Sequence, residues 1–186
     1  MKIGIDISQI VHEGTGVSVY VKQLVTALLA LDHVNKYVLF GTSLRKYHLL
    51  KSFTHNLSKR YKNITCVLVP LPPTLLDILW NTLHCVPITW FTGPLDIFWS
   101  SDWTQPPLGG KVKGITTIHD VSFLHFPEIH PAVGKVEKRR LDWAKRECQH
   151  FLCDSEATKS DVEKILNIDA NRLSVIYPGY SPTLNS

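Results

Sequence analysis

Seven short apolar runs, at 2–7, 37–40, 64–69, 96–99, 114–118, 151–153 and 173–177, are separated by stretches of a different rhythm. After the first run, Val17, Tyr20, Val21, Leu24, Val25, Leu28 and Leu31 recur at helical spacing. A charged stretch over 132–149 reads as a long helix. Ser155 stands where a helix N-cap would, ahead of Val162, Ile165 and Leu166. Strands alternating with helices point to an α/β fold: a mostly parallel sheet with helices on both faces. In such sheets the ligand crevice lies beyond the carboxyl ends of the strands.

Two stretches are less regular. Residues 43–62 are basic, with Tyr47, Leu50, Phe53, Leu57 and Tyr61 at rough helical spacing. Residues 71–103 hold Trp80, Trp90, Trp99 and Trp103 among several prolines, and read as a helix over 75–83 framed by loops.

Composition narrows the class. At 186 residues, 44% hydrophobic and 19% charged, the chain is one ordinary domain with enough apolar side chains for a real core. No apolar run reaches the roughly 18 residues of a membrane span. The opening MKIGIDISQIV carries an Asp inside its apolar run, and so reads as a strand rather than a signal peptide. Cys66, Cys85, Cys148 and Cys153 form no CxxC pair and read as reduced thiols of a cytoplasmic protein. The net charge of +4 is local: residues 35–76 carry seven Lys or Arg and no acid. That argues for one cationic patch and against a nucleic-acid-binding fold.

Three features carry candidate chemistry, all at strand ends. The first is the loop His12-Glu13-Gly14-Thr15-Gly16-Val17, between the first strand and first helix. Its glycines let an anion approach the backbone, and the helix N-terminus offers free N–H groups to phosphate. The same loop also reads as an ordinary βα turn. It is neither a dinucleotide fingerprint, since Val19 stands where a third Gly is needed, nor a P-loop. The second feature is Thr117-Ile118-His119-Asp120. His119 can hydrogen-bond a sugar hydroxyl with Asp120 setting its orientation; alternatively Asp120 only caps a turn. The third is Cys153-Asp154-Ser155-Glu156, with Ser155 as helix cap, ligand, or both. His119, His125 and His130 are spaced by six and five, which suits no common helix face, so no metal site is expected.

Taken in order, these segments resemble the N-terminal, acceptor-side domain of family 4 glycosyltransferases of the GT-B type, in their mannosyltransferase-like and O-antigen/capsule branch. IGIDISQI with GTGVSVYVKQLVTAL is similar to that family's first strand, glycine loop and first helix. Leu79-Trp80, then DIFWS through Pro106-Pro107, resemble its middle segment. TIHDVSFLHFPEIHP resembles its His-Asp segment, and CDSEATKSDVEKILNIDANRLSVIYPGY its closing stretch.

The resemblance implies a Rossmann-like half of a two-domain enzyme. Such an enzyme transfers a sugar from a nucleotide-sugar donor to a glycan or lipid-linked acceptor, with retention and with no cofactor or bound metal. Gly14, Thr15 and Gly16 would face the donor diphosphate, and His119 would touch the transferred sugar near its C6 hydroxyl as the catalytic residue. Asp120, Ser155 and Trp99 would border the acceptor crevice, although relatives often carry His at the position of Trp99. The domain would span 1–180 and the interdomain linker would begin at 181–186. The donor half, with two glutamates eight residues apart, has no counterpart here. The chain alone is therefore expected to be inactive. The alternatives are one subunit of a split enzyme, or a non-catalytic Rossmann-like binding domain. Arg45, Lys46, Lys51, Lys59, Arg60 and Lys62 either sit as solvated charges on a core-facing helix or dock on anionic lipid, which would place the chain on the inner face of the cell membrane.

Overall fold

Strand β1 (Lys2–Asp6) lies third in the sheet, with a neighbour on each side. The computed structural model describes residues 1–100, 103–126, 128–129 and 131–179. The remaining strands are β2 (Lys36–Thr42), β3 (Ile64–Val69), β4 (Ile97–Ser100), β5 (Lys113–Ile118), β6 (Cys148–Cys153) and β7 (Leu173–Val175). They form one seven-stranded sheet in the order β3-β2-β1-β4-β5-β6-β7, with every pairing parallel. This is the doubly wound α/β fold the alternation predicts, and it is Rossmann-like in strand order.

Five of the six connections carry helix; the described residues 103–112, between β4 and β5, carry none. Helix α1 (Gly16–Leu31) and helix α2 (Tyr47–Arg60) follow β1 and β2. After β3, helix α3 (Pro73–Leu76) widens into a π turn (Asp77–Thr82), and α4 (Thr89–Thr92) is a single turn. Helices α5 (Ser122–His125), α6 (Pro131–Glu147) and α7 (Glu156–Leu166) complete the chain. The expected helix over 75–83 is thus two pieces. The wide turn lets the buried Trp80 reach the Val86 carbonyl with its indole N–H at 3.0 Å.

Strand alternation divides the core. Ile5, Leu39 and Trp99 face α1 and α2, where Val21, Val25, Leu29, Leu50 and Leu57 meet them. Val38, Phe40 and Phe98 point the other way, onto Leu76, Trp80 and Ile88. A third cluster, running from Ile118 to Leu173 in sequence, packs α6 and α7 on β5–β7. Both faces are covered, as parallel sheets require.

The elements differ from expectation in small, explicable ways. Strand β2 runs past the expected 37–40, through Gly41 to Thr42. A Cβ on Gly41 would meet Ile7 and Leu50 side chains at 3.1–3.3 Å, so glycine lets α2 approach the strand. Strand β6 starts at Cys148 and α6 ends at Glu147, because Cys148 pairs with Gly114 across the sheet. Strand β7 stops at Val175, and 176–179 leave the sheet to wall a cavity described below. The expected linker at 181–186 lies outside the described residues.

All four cysteines are free thiols. Burial pushes Cys148 up to about 12 and Cys153 up to about 11, so both stay protonated and unreactive at neutral pH. Among the described residues, no helix is long and apolar enough to cross a membrane.

Candidate active site

The strand order reverses at β1. The chain winds outward through β2 and β3, then returns to place β4 on the other side. In such sheets the ligand crevice lies beyond the carboxyl ends of the strands at this reversal, the end from which the loop after β1 leaves.

That loop is tightly built up to the point where it becomes open. Asp6 Oδ1 accepts from the Ser8 amide and hydroxyl, starting a 3-10 turn at Ser8–Val11. The Thr15 amide and hydroxyl both donate to the His12 carbonyl, at 3.2 and 2.8 Å. Gly14 sits at φ +83°, a conformation that favours glycine. Thr15 is the N-cap of α1, its hydroxyl oxygen accepting from the Ser18 amide at 3.2 Å. The amides of Gly16 and Val17 occupy the first two helical positions and have no acceptor within the helix. No acidic side chain occupies the first turn to neutralise the positive dipole end. A Cβ on Gly14 or Gly16 would meet nothing within 4 Å, so the loop is exposed and unobstructed.

An elongated cavity of about 480 Å³ runs from this loop along α1. Val19, Tyr20, Gln23 and Ala27 line one wall, and residues 176–179 the other. Its volume falls in the range of small-molecule sites.

His119 follows directly on β5. Because Ile118 pairs with Cys153 in the parallel register, the next residues, His119 and Asp154, emerge side by side. His119 Nδ1 lies 2.6 Å from Asp154 Oδ2. Tyr20 packs its ring perpendicular to the imidazole, with centroids 5.1 Å apart. Tyr20 is one helical turn from Gly16, so the ring touching His119 stands directly behind the glycine loop. Burial raises the pKa of the Tyr20 hydroxyl, and the Asp154 carboxylate adds to the rise. The Thr117 hydroxyl opposes that rise from nearby, yet the Tyr20 hydroxyl has no hydrogen-bond partner among the described residues.

The other expected residues sort differently. Asp120 Oδ1 accepts from the Ser122 amide at 2.9 Å and hydroxyl at 2.6 Å, starting α5. Ser155 is the N-cap of α7, accepting from the Thr158 amide at 3.1 Å. Trp99 is buried under the site, donating its indole N–H to Thr117 at 3.0 Å and touching Tyr20 edge-on. Asp154 and Tyr20 are the residues that sequence reasoning passed over. The Cys-Asp-Ser-Glu segment pointed to the right strand end, but the strand register was needed to select its Asp.

His125 faces Asp161 at 3.1 Å, and His130 lies outside the described residues. Among the described residues, no three His, Cys, Asp or Glu gather as a metal would need.

The basic stretch forms α2. Its Leu50, Thr54 and Leu57 are buried, while Arg45, Lys46, Lys51, Lys59, Arg60 and Lys62 are exposed. The helix runs antiparallel to the sheet and is about 21 Å long at 1.5 Å per residue. Arg45 and Lys46 therefore sit at the crevice end, where Lys46 Nζ donates to the Val11 carbonyl at 3.0 Å. Lys59, Arg60 and Lys62 sit at the opposite end. There Arg60 and Lys62 join His33 around a second cavity, of about 510 Å³.

No curated protein matches the chain. The family model described as Glycosyltransferase Family 4 matches residues 14–184, from the first glycine of the open loop through both strand ends that carry the site. With a match over most of its length and a doubly wound sheet in which Tyr20 links the helix-start loop to His119, the chain belongs to glycosyltransferase family 4.

Proposed function

We propose that this chain is the acceptor-side, N-terminal domain of a two-domain GT-B enzyme of the mannosyltransferase-like, O-antigen/capsule branch. The enzyme transfers a hexose from a nucleotide-sugar donor to a glycan or lipid-linked acceptor, with retention. The domain occupies 1–180 and the linker begins at 181. In such an enzyme a donor-binding half completes the site. The observation carrying this reading is the contact of Tyr20 with His119, which ties the open glycine loop to the imidazole within one turn of helix.

The physics suits sugar transfer. As the glycosidic bond to phosphate breaks, negative charge builds on the leaving diphosphate and positive charge on the sugar. Amides of Gly16 and Val17, with the dipole of α1 behind them, stabilise that anion. Gly14 and Gly16 keep the approach clear, and Thr15 holds the helix start in place. His119, held by Asp154 at Nδ1 and packed by Tyr20, is the residue that would hydrogen-bond a sugar hydroxyl. No side chain in this half need act as a nucleophile. Ser155 and Asp120 shape the crevice rim by capping its helices, and Trp99 supports it from below.

His119→Ala, placed in an active two-domain form, is expected to lower turnover on the order of 100-fold, as loss of a transition-state hydrogen bond does. The melting temperature of this half should hold. An unchanged rate would remove His119 from the site, and a large drop in melting temperature would make it a core residue instead.

We further propose that α2 docks on anionic lipid and brings a lipid-linked acceptor to the crevice. The support is six exposed cations with no acid between 35 and 76. Each basic residue near an anionic surface contributes on the order of 1 kcal/mol. Co-sedimentation is expected with anionic vesicles and not with neutral ones, and it should fade as salt shortens the field. Equal binding to both vesicles, or to neither at low salt, would overturn it.

A further inference from the structure

Asp154 has no assigned role, yet it makes the short contact to His119. Its position follows from the sheet: the β5–β6 register sets residues 119 and 154 next to each other, although 35 residues separate them in the chain. The local structure then fixes both partners. The Thr158 hydroxyl donates to the His119 carbonyl at 3.2 Å, tying the backbone after β5 to the first turn of α7. Ser155, next to Asp154, caps that same turn. The side chains of His119 and Asp154 are only 18% and 22% exposed, and Tyr20 closes one side of the imidazole.

A carboxylate only accepts hydrogen bonds. The nitrogen facing it must therefore carry a proton, and which ring nitrogen does so is set by such a contact. Asp120, the carboxylate nearest in sequence, turns its Oδ1 to Ser122.

From this geometry we infer that Asp154 is the positioning residue of His119. Its Oδ2 takes the Nδ1 proton, holds the ring plane against Tyr20, and makes Nε2 the lone-pair nitrogen of the neutral ring. A sugar hydroxyl meeting that edge would donate to it rather than accept from it. The bearing on transfer rests on the reading of His119 given above; the positioning does not.

Nitrogen-15 NMR of the histidine-labelled chain tests the inference directly. His119 signals are assigned by their loss in His119→Gln, and spectra are taken at about pH 9, above the ordinary imidazole range. The wild-type ring is expected to carry its proton on Nδ1. Asp154→Ala should move it to Nε2, the form ordinary in water. Asp154→Asn keeps an acceptor oxygen and should retain the Nδ1 form, and Asp120→Ala should change nothing. A wild-type ring protonated on Nε2 would overturn the inference even if Asp154→Ala fails to fold. So would an Asp154→Ala ring that stays on Nδ1. A moved proton with full turnover in the two-domain enzyme would leave the positioning intact and count against the catalytic reading of His119.

Discussion

Trp80→Ala is expected to cost the fold about 3–5 kcal/mol, a large share of the 5–15 kcal/mol typical of a domain. Trp80 is fully buried in the widened turn after α3. Its ring meets Phe40 of β2 at 5.7 Å and Phe91 of α4 at 6.3 Å, and its N–H holds the Val86 carbonyl. Alanine would open a cavity between the sheet and its covering layer and leave that carbonyl without its donor. Urea unfolding followed by circular dichroism measures the loss, with a melting temperature lowered on the order of 10 °C. Trp90→Ala is the control, because Trp90 is 77% exposed on α4 and should change stability little. A loss at Trp80 below about 1 kcal/mol would mean that this layer is not packed as described.

Arg140→Ala should be similarly severe. Arg140 is 2% exposed, with Nε on Glu137 Oε2 at 3.1 Å and Nη1 on the Thr116 hydroxyl at 3.2 Å. Glu137 is itself only 14% exposed. Removing the cation breaks a buried pair, which costs about 3–5 kcal/mol. Arg140→Met combined with Glu137→Leu is expected to recover much of the loss, since the pair's attraction is largely offset by its desolvation. The same denaturant titration on single and double variants decides. A double variant no better than Arg140→Ala alone would show that Arg140 matters through its other contacts.

Much of this fold was legible from local pattern. Residues 64–69 pair as β3 without adjustment, because a mostly apolar, β-branched run bounded by Asn63 and Pro70 has few other uses. Ser155 caps α7 as its position before Val162 and Ile165 suggested. What escaped was long-range. Nothing local distinguishes Asp120 from Asp154 as the partner of His119; both follow strands, and only the β5–β6 register chooses between them. Trp99 offered an aromatic at a strand end, but its neighbour Phe98 takes the opposite face and leaves Trp99 under α1. The cationic stretch read as one patch, whereas a helix antiparallel to the sheet carries its charges from one end of the domain to the other.

The reversal at β1 also has a kinetic side. Ile3 pairs with Ile97, 94 residues on, while no other strand pairing spans more than about 35. Closing that loop carries the largest entropic cost in the sheet. One segment of chain, β1 to β3, supplies the glycine loop, and the other, β4 to β7, supplies His119 and Asp154. Either can gather its own apolar cluster first, since the third core cluster draws only on residues 118–173. The crevice is then the seam between two halves, and it exists only after the slowest closure has been made.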